Sequence, residues 1–169
     1  AGFQYEHAMA AEVVLNAYKE DQRVQVMGQL PAAAAAIPGV RSAALTSLLP
    51  LQGETWIDSA SVPGKTYPAT GSPSVNVRFI TPNYFATMDI PLLGGRDFTA
   101  ADQQLKPMPV ILSRAAVVAL WPELAQHPEQ AVGRPLQVNG RAVSFIGLAD
   151  DARTSFKTAT PPLVYQGYW

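Results

Sequence analysis

The chain has 169 residues, 12 basic and 13 acidic, with neither sign gathered into a run. It lacks the electrostatic footprint that nucleic acid or an anionic lipid surface selects, which argues against a nucleic-acid partner. Without cysteine there is no disulfide, thiol nucleophile or cysteine-bound zinc, and no apolar segment approaches the roughly 20 residues of a membrane helix.

Ala10 to Ala17 is apolar and β-branched enough for a buried strand. Asp21 is placed to cap a helix carrying Val24, Met27, Leu30, Ala34 and Ile37 near helical spacing, with Pro31 expected to kink or interrupt it. Pro38-Gly39 ends that helix and Val40 to Ser47 reads as a second strand, so the first fifty residues predict a β-α-β unit. Strands are expected over Glu54 to Val62 and Ser74 to Ile80. The second alternates Val75, Val77 and Phe79 against Asn76 and Arg78, the pattern of one buried face.

The stretch from Val75 to Asp102 carries the most architectural signal. Thr81-Pro82 predicts a helix start, Pro91 its stop, and Gly94-Gly95 a turn after Leu92 and Leu93, with Asp97, Thr99 and Asp102 as punctuation. Val110 to Leu112 reads as a strand, Ser113 caps a helix from Arg114 to Trp121, and Pro122 ends it. Asn139-Gly140 predicts a tight hairpin between Leu136–Val138 and Ala142–Leu148, because both residues tolerate positive φ. Pro162 to Tyr168 is expected to return as a strand beside the first β-α-β unit.

Candidate chemistry is sparse. His7 and His127 are far apart and belong to no HExxH pattern, so no metal site is expected. Asp150-Asp151 follows a strand, where α/β enzymes place carboxylates, but adjacent residues on an extended chain diverge and a DDAR turn is the simpler reading. Gly94-Gly95-Arg96 has the elements of an anion cradle without the following helix; the simpler reading is a turn whose arginine pairs with Asp97 or Asp102. Trp56, Tyr84, Phe85 and Trp121 read as packing residues rather than a ligand cage. No serine elbow, phosphate loop or dinucleotide fingerprint occurs. No catalytic, cofactor-binding or metal-binding residue is assigned. The competing reading is a small soluble α/β enzyme or ligand-binding domain centred on Asp150, Asp151 and Arg96.

Four segments, IPGVRSAALTSLLPL (Ile37 to Leu51), VRFITPNYFATMDIPLLGGRDFTAAD (Val77 to Asp102), VILSRAAVVALWP (Val110 to Pro122) and AVGRPLQVNGRAVSFIGLADDAR (Ala131 to Arg153), together resemble the MacB-like periplasmic core domain of FtsX-family ABC transporter permeases. Leu112-Ser113 stands where that family more often has an asparagine before the helix, Asp89 replaces a frequent glycine, and Pro31 is unexpected. The opening GFQYEHAMAAEVVL resembles the stretch just after a membrane helix in the large duplicated permeases, and both ends of the chain read as cut from something longer.

The resemblance implies an α+β fold: a porter-like α/β subdomain over residues 1–80 plus 149–169, and an inserted, mostly β, Sabre-like subdomain over 81–148. It implies a non-catalytic, cofactor-free domain on the periplasmic side of the bacterial cytoplasmic membrane. Its partners would be flanking transmembrane helices of the same polypeptide, a cytoplasmic ABC ATPase acting indirectly, and a periplasmic adaptor or substrate protein. The implied role is transmission of ATP-driven motion in export or signalling. Val75 to Asp102 is expected to join the two subdomains, with Tyr84 and Phe85 packed into the junction.

Overall fold

A computed structural model describes residues 8–49, 56–152 and 160–169. Helix α1 (Glu20–Ala35) is followed by strands β1 (Ile57–Ser61) and β2 (Ser74–Ile80), a single helical turn α2 (Tyr84–Thr87), and β3 (Leu92–Gly95). Then come β4 (Pro109–Ser113), α3 (Arg114–Leu120), the hairpin of β5 (Leu136–Val138) and β6 (Arg141–Ala149), and β7 (Leu163–Gly167).

All seven strands belong to one sheet of order β3-β6-β4-β7-β2-β1-β5, and β5 also pairs with β6. That last pairing closes six strands into a ring. Strand β6 allows closure because it is long: Arg141–Val143 pairs with β5, Gly147–Ala149 pairs with β3, and Ser144–Ala149 pairs with β4 in parallel. Strand β7 lies in the middle, parallel to β2 and antiparallel to β4.

Two apolar layers cover the two faces of the central strands. Val75, Val110, Leu112 and Val164 join the helix residues Ala116, Val117 and Leu120, with Trp121, Leu136 and Phe145, in the larger layer. Ile80, Ile111, Leu163 and Tyr165 turn the other way and pack with Tyr84, Phe85, Ile90 and Phe98. Burial on both faces explains why Val110 to Leu112 of β4 and Leu163 to Tyr165 of β7 are consecutive apolar residues rather than alternating ones. Strand β6 serves both layers through a register shift opposite Val110 and Ile111. Val143 and Phe145 face the larger layer before it and Leu148 after it, while Ile146 and Ala149 face the smaller one. One extra residue moves the side chains that follow to the opposite face, so odd and even positions exchange roles.

Several sequence expectations change. Ala10–Ala17 forms no strand: residues 8–15 are unpaired and, apart from Leu15, exposed. Val40 to Ser47 contributes only an isolated bridge from Thr46 to Ile80. The first fifty residues therefore make no β-α-β unit among the described residues, and β7 returns between β2 and β4 instead. An apolar run becomes a strand only where a neighbour satisfies its backbone, a condition local composition does not report. Helix α1 starts two residues earlier than a cap at Asp21 would place it, with the Lys19 N–H donating to Gln22 Oε1 (3.1 Å), and it runs through Pro31 without interruption. Strand β2 has both faces buried, its polar Asn76 and Arg78 included.

The predicted hairpin forms, with Asn139 and Gly140 at φ 49° and 71°. Ser113 caps α3 by accepting the Ala116 N–H at 3.2 Å.

Candidate functional site

The stretch from Thr81 to Asp102 folds as a chain of backbone locks. Thr81 does not cap its own helix. Its Oγ1 accepts the Leu45 N–H (2.9 Å) while its N–H donates to the Leu45 carbonyl (3.1 Å), which moors residues 45–47 along the end of β2. Helix α2 begins after Asn83, which takes a left-handed conformation (φ 68°) and donates its N–H to Asp97 Oδ2 at 3.3 Å. The turn ends at Asp89, also left-handed (φ 53°), with the Ile90 N–H reaching back to the Phe85 carbonyl at 2.8 Å. This is a helix-terminating geometry that favours glycine, so Asp89 holds its Cβ in a conformation glycine adopts more easily.

Gly94 and Gly95 lie in β3 rather than in a turn. Gly95 has φ 69° and is paired with Gly147 of β6; a Cβ on Gly95 would run into the Ile146 carbonyl, and one on Gly147 into the Arg96 carbonyl. The two glycines bring the strands unusually close. Arg96 then forks onto the buried Asp102, with Nη1–Oδ2 and Nη2–Oδ1 both at 2.7 Å. Asp102 Oδ2 also accepts the Thr99 N–H at 2.7 Å. The Arg96 guanidinium, helped by the Thr99 N–H, holds the Asp102 carboxyl down at about 2 against the cost of burial. Asp97 accepts the Phe98 N–H (2.7 Å), and its own burial pushes its carboxyl up. The paired-arginine reading of Gly94-Gly95-Arg96 is the one observed, with Asp102 as partner.

Asp150 and Asp151 do not converge with Arg96. The Asp150 N–H donates to the Pro91 carbonyl, at the opposite end of the β3–β6 pair from Arg96, which meets Ile146. Four residues of strand separate the two places, roughly 13 Å. Asp151 Oδ1 instead accepts the Ala115 N–H at 2.8 Å, in the first turn of α3, and burial raises its carboxyl. Asp150 Oδ1 accepts the Asp151 N–H at 2.9 Å, and the Arg153 of the DDAR turn expected from sequence lies outside the described residues. The competing polar centre is thus divided between two structural jobs.

Tyr84 and Phe85 are buried and meet Tyr165 at 6.1 and 4.9 Å between ring centroids. Trp121 stacks on Phe145, whereas Trp56 is exposed and sets its edge on Phe79. His127 is exposed, 3.5 Å from Glu129, and His7 lies outside the described residues. No group of residues able to hold a metal occurs among the described residues. Two contacts escaped the sequence reading. Ser113 Oγ also accepts the Leu163 N–H (2.9 Å), tying β7 to the start of α3, and Lys65 Nζ donates to the Leu120 carbonyl (2.6 Å) at its end. A basic residue near a helix C-terminus is the only signal for the second, and nothing in the sequence marks which helix.

These features define a mixed helix-and-strand domain built on one closed sheet, and no described helix is long and apolar enough to cross a membrane. Residues 3–166 match the family model of the MacB-like periplasmic core domain, and the chain belongs to that family of ABC transporter permease domains. Comparison with curated proteins gives no match. Among solved structures, the periplasmic region of MacB from Actinobacillus actinomycetemcomitans is 19% identical with a TM-score of 0.53, over 82% of this chain and 53% of that one. The extracellular domain of the noncanonic ABC-type transporter YknZ from Gram-positive bacteria is 16% identical, TM-score 0.43, over 70% and 57%. A domain of a putative permease from Porphyromonas gingivalis is 13% identical, TM-score 0.35, over 68% and 47%. The chain spans about half the length of each of these structures.

Proposed function

We propose that this chain is the extracytoplasmic part of a permease subunit that passes motion of its flanking membrane helices, driven by a cytoplasmic ATPase, to a substrate or partner outside the membrane. The family match supports the setting. The observation that carries the mechanical reading is ring closure: with β5 paired to β6, the sheet cannot shear open without breaking a complete row of backbone hydrogen bonds. The Arg96–Asp102 fork and the Thr81–Leu45 pair fasten the connecting stretches to the same frame. A stiff body moves as a unit, which is what lever-like transmission requires.

The porter-like part (1–80 with 149–169) and the inserted part (81–148) belong to this proposal. The two would share one sheet, joined where β4 pairs with β7 and where β5 pairs with β1. Export and signalling are both compatible with a rigid transmitter.

Spin labels at the exposed Ser59 and Gln126 of the full-length permease, reconstituted with its ATPase, test the reading. The distance within the domain should stay constant between nucleotide states while the distance from either label to the bilayer surface changes. A changing internal distance, or a static domain, would overturn it.

A further inference from the structure

Helix α1 is the longest helix among the described residues and the least attached to the fold. None of its 16 residues is buried, whereas the seven-residue α3 buries Ala116, Val117 and Leu120. Val24, Val26, Met27, Leu30 and Ala34 are only half-buried. Among the described residues no hydrogen bond joins α1 to a strand, and even Arg23 turns back, donating from Nε to the Tyr18 carbonyl at 2.8 Å. Local sequence does not compensate. An interior glycine weakens a helix about fivefold relative to alanine and an interior proline about a hundredfold, and α1 carries both, at Gly28 and Pro31. Pro31 has no N–H for the Met27 carbonyl, and no basic residue stands in the last turn to meet the helix dipole. A helix of this length is marginal in water even when rich in alanine, so α1 depends on its docking.

One docking contact is closely fitted. Gly28 faces the Tyr168 side chain, where an added Cβ would lie 2.6 Å from the hydroxyl oxygen but 3.4 and 3.7 Å from the nearest ring carbons. Tyr168 is held in place: its N–H donates to the Ile80 carbonyl at 3.0 Å, and its ring meets Trp169 edge-on at 5.1 Å. Trp169 in turn meets the buried Phe98 at 5.9 Å. The glycine that weakens the helix is therefore what lets it sit against the chain just after β7. We propose that α1 is a releasable strap: it undocks and unwinds as one unit while the strand ring stays closed, and the seat of Gly28 on the Tyr168 hydroxyl is the catch that sets how often it opens. Units with few buried apolar contacts open far more often than the core to which they are attached. Release uncovers Tyr168 on a sheet that has not moved, which gives the domain a second conformation without loss of its rigid frame. The strap does not depend on the permease reading, whose two label sites, Ser59 and Gln126, both lie outside α1.

Native-state hydrogen exchange of the 169-residue chain, followed residue by residue by NMR, tests this. The Met27 and Leu30 amides should be protected at least about 100-fold less than those of Ile111 and Val164 in the central strands. A cycle of variants reads the catch. Gly28→Ala should lower protection across α1 in the wild type, where the methyl meets the hydroxyl. In a Tyr168→Phe background, where only ordinary contact distances remain, the same substitution should raise protection about fivefold. Protection at Val164 should stay within about twofold in all four proteins. Exchange of the α1 amides at the protection of Val164 would overturn the strap, because the helix would then open only with the whole fold. A Gly28→Ala effect of the same sign and size in both backgrounds would overturn the catch, and the proposal with it.

Discussion

Gly95 and Gly147 stand opposite each other across the β3–β6 pair, each occupying space that the other strand's carbonyl region denies to a side chain. Gly147→Ala should therefore drive a methyl into the Arg96 carbonyl and cost about 2–4 kcal/mol, read as a lower urea midpoint at unchanged slope. Gly133→Ala, where the added carbon meets nothing but φ is positive (83°), should cost only about 1 kcal/mol. Equal losses at the two positions would mean that the close approach of the Arg96 carbonyl adds nothing at Gly147.

The Arg96–Asp102 fork makes a pH prediction with a definite sign. Asp102 has a folded-state pKa of about 2, below its ordinary value, so the carboxylate form is favoured by folding. Its contribution is complete above roughly pH 4–5 and disappears as pH falls toward 2. Because Arg96 is half exposed, solvent screening holds the effect to about 1–2 kcal/mol. Asp102→Asn should lower stability by that amount at pH 7 and flatten its decline between pH 4 and 2, followed by chemical denaturation at each pH.

Asp89 holds a left-handed backbone at the end of α2. Asp89→Gly relieves the Cβ penalty there and should raise stability by about 0.5–1 kcal/mol, despite the added freedom of the unfolded chain. Asp89→Val should instead lower it by more than 1 kcal/mol. A thermal melt of the three proteins orders them.

Ser113 satisfies the N–H groups of both Ala116 and Leu163 within the buried core. Ser113→Ala strands two donors and should cost about 2–3 kcal/mol. Ser113→Asn, whose side-chain carbonyl can also accept a helix N–H, is expected to restore the helix cap, so hydrogen exchange at Ala116 should recover. Protection at Leu163 should recover only if the longer side chain still reaches β7.

Tyr84 and Phe85 fill the smaller layer against Tyr165. Replacing both with alanine should cost several kcal/mol, at least about 4, since each is a fully buried ring. An unchanged denaturation midpoint would remove them from the core.

The sequence was most readable where a local rule needed no partner. Asn139-Gly140 must turn, Ser113 must cap, and Ser74 to Ile80 could hardly be anything but a strand. It misled where pairing decides the outcome. Val40 to Ser47 looks as strand-like as Ser74 to Ile80, yet only the latter finds strands on both sides. The alternation in β2 suggested one wet face, because Asn76 and Arg78 are polar, and no local signal announces that a second layer covers them. The Arg96–Asp102 pair was accessible because its members are six residues apart, within reach of one loop. The Gly28–Tyr168 contact draws on α1 and the end of β7, which only the folded topology brings together.

The closing pairing of β5 with β6 leaves β3 as the strand with an open edge among the described residues. That edge is four residues long, Leu-Leu-Gly-Gly, and its glycines make it a poor template for an eighth strand. The topology of the sheet, rather than surface charge, thereby leaves little strand edge open to fibril-like self-association among the described residues.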